Sequence, residues 1–289
     1  MLGLAWLPFP VIYLLSDFLY LILYRFVGSR KKVVRQNMEN AFPEKSIAEI
    51  NKLVPAFYHN LCDIILETLK LLTLDVTELR KRVKLNNIGI IDPYVAAGKP
   101  VLVLGSHLAN WEWALNAGVV NFNVPLDGIY KPLSNEFFDW LMLRLRTHLG
   151  AHLVPMKDTL RDFMRRKNIP RVISMLSDQT PPRGEIQFWT TFLNQETPFF
   201  VGGDKLAASF KYPVMFLGAH RVKRGYYEFT FELLCDLSAF PVEEEFPITE
   251  RYARKLENWI RQYPADYLWS HRRWKHKKPV TEPVQTESK

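Results

Sequence analysis

Val101-Leu-Val-Leu-Gly-Ser-His-Leu-Ala-Asn-Trp-Glu112 is the stretch that decides the fold class. Four apolar residues in a row, bounded by Pro100 and Gly105, have the unbroken hydrophobicity of a strand covered on both faces. A turn follows, and a helix over 111–119. The same grammar repeats downstream. Further strands are expected at 127–131, 171–176, 213–219 and 226–234, the last alternating as a half-buried strand does. Helices are expected at 136–148, with Gly150 as its C-cap, and at 249–263. Strands alternating with helices give an α/β fold with a mixed, largely parallel sheet flanked by helices. Upstream, Ser46-Ile-Ala-Glu49 is a capping box that opens a helix reaching about residue 72. Pro55 inside it predicts a kink or a break.

Composition bounds the function. The chain has 289 residues, 48% hydrophobic and 24% charged, which excludes general disorder. Its only cysteines, Cys62 and Cys235, cannot make a disulfide framework or a cysteine zinc site, and are expected to be buried small hydrophobes. Thirty-eight Lys and Arg against 30 Asp and Glu give a net charge of +8, beside 13% aromatic residues. That combination suits nucleic acid or an anionic membrane surface.

The N-terminus favours the membrane. Residues 4–27 are apolar except for Asp17 and Arg25. A helix over 10–27 is roughly 27 Å long, near the roughly 30 Å of a bilayer core. Asp17 at its centre costs about 2.5–3.5 kcal/mol on insertion scales. A marginal span and a helix embedded in one leaflet both stay open, beside a buried helix of a soluble protein. No cleavage site follows, so it does not read as a cleaved signal. Arg30, Lys31, Lys32 and Arg35 follow instead, and such a cluster belongs on the cytoplasmic side. The expected organisation is an anchor helix at 1–28, one domain at 29–278 and a disordered polar tail at 279–289.

His107 and Glu112 carry the chemistry. Ligands of α/β sheets bind beyond the carboxyl ends of strands, where His107 is placed. Within one helix, residues five apart lie about 140° apart and do not meet. With His107 in the preceding turn they can, and the pair reads as a general base with the carboxylate that orients it. A His-Glu-x-x-His zinc site, a Gly-x-Ser-x-Gly elbow, a phosphate loop and a Gly-x-Gly-x-x-Gly fingerprint are all missing from the sequence.

Gly105-Ser-His-Leu-Ala-Asn-Trp-Glu112 resembles the His-x4-Asp/Glu motif of glycerolipid and lipid A acyltransferases, and its His-x-x-Asn-Trp-Glu form resembles the late lipid A enzymes. Tyr130-Lys-Pro132 with Asn135, Arg146-Thr-His-Leu-Gly150 and Ser177-Asp178-Gln179 resemble further blocks of that family in the same order. So do the closing Pro264…Trp269-Ser-His-Arg-Arg-Trp-Lys275 and the opening apolar helix with Val33-Val-Arg-Gln-Asn37. The likeness spans nearly the whole chain. Lys131 stands where the family often has Arg, and Phe192-Leu193-Asn194 where it has Phe-Phe-Gly.

The resemblance implies transfer of a fatty acyl chain from acyl carrier protein, or coenzyme A, to a hydroxyl of a lipid A precursor at the inner membrane. No acyl-enzyme is required, because a thioester is already activated, and no cofactor is expected. His107 takes the hydroxyl proton, Glu112 fixes His107, and Arg146 receives the oxyanion. Asp178 orients Arg146 or contacts the acceptor. Asn110 caps the helix or bonds the acceptor, and Lys131 and Gln179 lie on the substrate side. Arg272 and Arg273, among Trp269 and Trp274, suit a membrane interface better than nucleic acid. A simpler lysolipid or amino-acid-derived acceptor, and a catalytically silent lipid binder, remain as alternatives.

Overall fold

In the computed structural model, which describes residues 2–28, 30–236 and 245–279, the apolar run 101–105 is the central strand of a seven-stranded sheet. The elements in chain order are α1 (Phe9–Tyr20), α2 (Lys31–Ala41), α3 (Ile47–Lys70), α4 (Val76–Arg82), β1 (Val83–Asn86), α5 (Asp92–Ala96), β2 (Val101–Gly105), α6 (Trp111–Asn121), β3 (Leu126–Tyr130) and α7 (Glu136–Arg146). Then come β4 (His152–Pro155), α8 (Thr159–Arg165), β5 (Val172–Leu176), β6 (Phe188–Phe192), β7 (Gln195–Phe199), α9 (Gly202–Phe210), β8 (Val214–Lys223), β9 (Tyr226–Cys235) and α10 (Pro247–Gln262). The sheet order is β1-β9-β8-β2-β5-β3-β4. The block from β8 to β4 is parallel, and β9 with β1 runs the other way. All five residues of β2 are buried, as an unbroken apolar strand requires. The expected mixed, largely parallel sheet flanked by helices is what forms.

Two local expectations are revised. Of the kink or break expected at Pro55, the break does not occur: Pro55 lies inside α3, which runs unbroken for 24 residues. Packing of its apolar stripe outweighs the one lost backbone bond. The helix expected over 136–148 stops at Arg146, and Gly150 turns the chain with φ +104°. Ser46 and Glu49 form the expected reciprocal cap. Both cysteines are buried and free. The polar tail from residue 280 lies outside the described residues.

The N-terminal helix is amphipathic in an inverted sense. Its polar residues face the protein: Ser16 donates to Asp63 at 2.6 Å, Tyr13 to Glu67 at 3.1 Å, and Arg224 pairs with Asp17 at 2.6 Å. Its apolar residues Leu14 and Phe18 face outward, 70% and 62% exposed. The chain continues as a π-helix, Leu21–Val27, that leaves Phe26 83% exposed. Asp17 therefore has an ion partner, and the insertion cost counted from sequence for a bare carboxylate does not apply.

Candidate active site

Parallel register assembles the centre of the site. Gly105 is paired with Leu176, so His107 and Asp178, each two residues beyond, leave the sheet side by side. His107 Nδ1 lies 2.7 Å from Asp178 Oδ1, and the His107 amide donates to Oδ2 at 3.1 Å. Asp178 is almost completely buried, and the His107 side chain keeps 14% of its surface exposed. Burial opposes charge on the imidazole, but the neighbouring Asp178 carboxylate, with Glu112 behind it, outweighs burial and holds His107 above its ordinary pKa. Burial likewise pushes the Asp178 carboxyl up, while the charge and bonds of His107 hold it below the usual carboxylate range. With Nδ1 donating to Asp178, Nε2 is the acceptor nitrogen. The Gln179 amide nitrogen lies 3.3 Å from it.

Glu112 does something other than the sequence suggested. It stands in the first turn of α6, and its two oxygens accept from Arg146 Nε and Nη2 at 2.8 and 2.7 Å. Trp111 Nε1 donates to the same carboxylate at 3.0 Å. The pairing of Glu112 with His107 is thus corrected: Asp178 orients the imidazole and Glu112 orients Arg146. The reason is topological. β5 is the strand beside β2, so its carboxyl end reaches His107 directly, whereas Glu112 faces the end of α7. Arg146 keeps its Nη1 without a partner among the described residues. Burial opposes its charge, but the bidentate bond to Glu112 outweighs that and raises its pKa.

The turn between β2 and α6 is held from several sides. Ala109 has φ +49°, a left-handed value that a non-glycine residue adopts only when its surroundings enforce it. Its amide donates to Asp266 O, and Leu268 N donates to His107 O. The closing Pro264…Trp269 block therefore buttresses the catalytic turn. Asn110 is fully buried as the N-cap of α6: Oδ1 accepts from Trp113 N, and Nδ2 donates to Glu67 at 2.8 Å. Fully buried in this way, it has no surface open to an acceptor, which argues against its assignment as a substrate-binding residue. Glu67, missed from sequence, also accepts from Tyr227. Its signal was a lone carboxylate on an apolar helix stripe.

Arg273 is corrected as well. It is 1% exposed, donates to Pro198 O at 2.7 Å and lies over the Phe199 ring, so it cannot touch a membrane. Arg272 and Lys131 are exposed. His271 Nε2 lies 3.4 Å from the Thr180 amide, and burial pushes its pKa down to about 4, so it is a neutral acceptor behind the Asp178 loop. Trp111 sets an edge against the His107 ring, centroids 5.1 Å apart, and lines a cleft with Phe57, Leu61 and Ile64. Trp113 is core.

A histidine held by a carboxylate, beside an arginine with one N–H group left unpaired among the described residues, is an arrangement compatible with transfer between a hydroxyl and an activated acyl group. Comparison with known proteins agrees. The lipid A biosynthesis lauroyltransferase of Escherichia coli K12 is 26% identical over 282 residues, 95% of this chain and 90% of that protein. The lipid A biosynthesis palmitoleoyltransferase of the same organism is 23% identical over 286 residues, covering 97% and 91%. A lipid A biosynthesis acyltransferase of Haemophilus influenzae is 22% identical over 271 residues, covering 93% and 86%. Residues 1–276 match the bacterial lipid A biosynthesis acyltransferases as a family. The chain belongs to that family and is an acyltransferase.

Proposed function

We infer that this protein is a membrane-bound O-acyltransferase that moves a fatty acyl chain from acyl carrier protein, or acyl-coenzyme A, to a hydroxyl of a lipid A precursor. The observation that carries the mechanism is the 2.7 Å contact of His107 Nδ1 with Asp178, which leaves Nε2 to receive a proton. The acceptor hydroxyl gives its proton to Nε2 as its oxygen attacks the thioester carbonyl. The tetrahedral oxyanion is met by the free Nη1 of Arg146, which Glu112 holds in place. Collapse breaks the carbon–sulfur bond, and the thiolate recovers the proton from the imidazolium. The products are an ester and a free thiol, and no acyl-enzyme forms. Gln179 and Lys131 lie on the substrate side.

The inverted amphipathicity of α1 supports the membrane reading. A helix with its polar face bonded to its own domain and an apolar face outside is matched by a bilayer surface rather than by water. Arg30, Lys31, Lys32 and Arg35 just beyond it support a cytoplasmic catalytic domain at the inner membrane.

The test offers detergent-purified protein labelled acyl carrier protein and labelled acyl-coenzyme A, each with a lipid A precursor and with lysophospholipids. Transfer from acyl carrier protein to the lipid A precursor is expected. A preferred lysophospholipid would move the acceptor to a simpler lipid. Lipid binding without transfer from any pair would contradict the enzyme reading.

A further inference from the structure

The carboxyl end of the sheet carries apolar surface on both sides of the site. On one side the β8–β9 turn brings Arg224 to Asp17 of α1, whose Val11, Leu14 and Phe18 form an outward stripe that Leu21 of the following π-helix continues. On the other side β3 and β4 end together, Tyr130 paired with Pro155. The chain leaves that edge twice. Once it passes through Leu133 into α7, with Phe137, Phe138 and Trp140 between 46% and 52% exposed. Once it passes through Met156 into α8, with Leu160 61% exposed. His107 and Asp178, beyond β2 and β5, lie between. The sheet order β8-β2-β5-β3-β4 makes four steps from one side to the other, about 19 Å at about 4.8 Å per strand.

We propose that the edge formed by the start of α7 and the 156–160 segment is a second membrane contact, which seats the site mouth on an anionic bilayer together with α1. This rests on the reading of α1 as the membrane helix. Exposed Phe and Trp beside Lys and Arg are the chemistry of the headgroup interface. Exposed Lys131, Arg144, Lys157 and Arg161 border the patch, and Arg144 lies 5.7 Å over the Trp140 ring. The acidic residues there are Glu136, Asp139 and Asp158, the last paired with the exposed Arg161 at 3.7 Å, so the border keeps a small basic excess. The basic excess complements anionic headgroups. With contacts at both sides, a lipid hydroxyl at the bilayer surface meets His107 without leaving the headgroup layer. One contact alone would let the domain tilt about α1.

The experiment attaches an environment-sensitive dye to single introduced cysteines, since Cys62 and Cys235 are buried. The sites are Phe137→Cys, Phe18→Cys on α1, and Lys99→Cys at the amino end of β2 as a control. Each labelled full-length protein is mixed with phosphatidylcholine vesicles with and without phosphatidylglycerol. The expected result is a blue shift, and quenching by brominated lipid, at both 137 and 18 but not at 99, stronger with the anionic lipid. The double variant F137S/W140S should bind anionic vesicles about tenfold more weakly. A label at 18 that inserts while 137 stays in water would overturn the second contact and leave the anchor intact. Labels at neither position inserting would overturn both. A shift at 137 on adding acyl carrier protein, and none on adding vesicles, would assign the patch to a protein and overturn the proposal.

Discussion

Replacing Asp178 with Asn separates the two carboxylates most sharply, because it keeps the side chain's shape and removes its charge. Asp178 accepts two bonds from one residue, at Nδ1 and at the His107 amide. An asparagine has one oxygen for those two donors. If that oxygen stays on Nδ1, its NH2 group meets the backbone N–H at 3.1 Å, donor against donor. If it turns over, the NH2 group meets Nδ1 and selects the tautomer with the proton on Nε2, which cannot accept another. The second arrangement disables the base outright; the first keeps Nε2 as an acceptor but loses the charge that stabilises the imidazolium. General bases contribute about 10²- to 10⁴-fold, so kcat should fall by that factor, about 2.7–5.4 kcal/mol of barrier. The pH profile adds a signed test. Acyl transfer needs neutral His107, so the rate rises with pH through the His107 pKa, which burial opposes but Asp178 holds above the ordinary value. Without the carboxylate, burial dominates and the acid limb must move to lower pH. Steady-state acyl transfer from acyl carrier protein across pH, with circular dichroism to confirm folding, reads both effects. A D178N rate within threefold of wild type would refute the reasoning. So would an acid limb that stays put in D178N but moves in E112Q.

Other outcomes follow from the same geometry. Arg146→Lys loses the two-pronged bond to Glu112 and should lower kcat about 10²- to 10³-fold with little change in thermal midpoint. Arg273→Ala strands buried acceptors and removes the cation from the Phe199 face, so chemical denaturation should show a loss of about 2–3 kcal/mol. Arg272→Ala, at the exposed neighbour, should leave stability unchanged and weaken vesicle pelleting at low salt. Arg224→Ala removes the shared partner of Asp17 and Asp63, and limited proteolysis should then cut between α1 and α2 faster than in wild type.

Much of the sheet was legible because β2 and β5 are apolar runs too short for helices, and because β8 and β9 carry long strand patterns. β4 was not: His-Leu-Val-Pro is four residues at an edge, with one residue buried. The β6–β7 hairpin was also hidden, since its turn uses Leu193 and Asn194 at φ +49° and +62° in place of an Asn-Gly pair. The four residues put forward as catalytic do lie together, but their pairing was misread. Sequence spacing joined His107 to Glu112, while the pairing is set by which strand lies beside β2, a non-local fact. Arg273 looked like its neighbours in a basic run, and only the packing of Thr180 and of Pro198 in β7 against it reveals a core residue. Asp63 and Glu67 on α3 were not singled out from sequence. They are where α1 and the β8–β9 pair are fastened.

The account turns on His107 as the base. Its most direct test compares wild type with His107→Ala in acyl transfer from labelled acyl carrier protein to the lipid A precursor, both proteins shown to be folded and to bind the acceptor. The account predicts transfer by the wild type and a loss of about 10²-fold or more in the variant, at unchanged acceptor affinity. Equal transfer by the two proteins would contradict it.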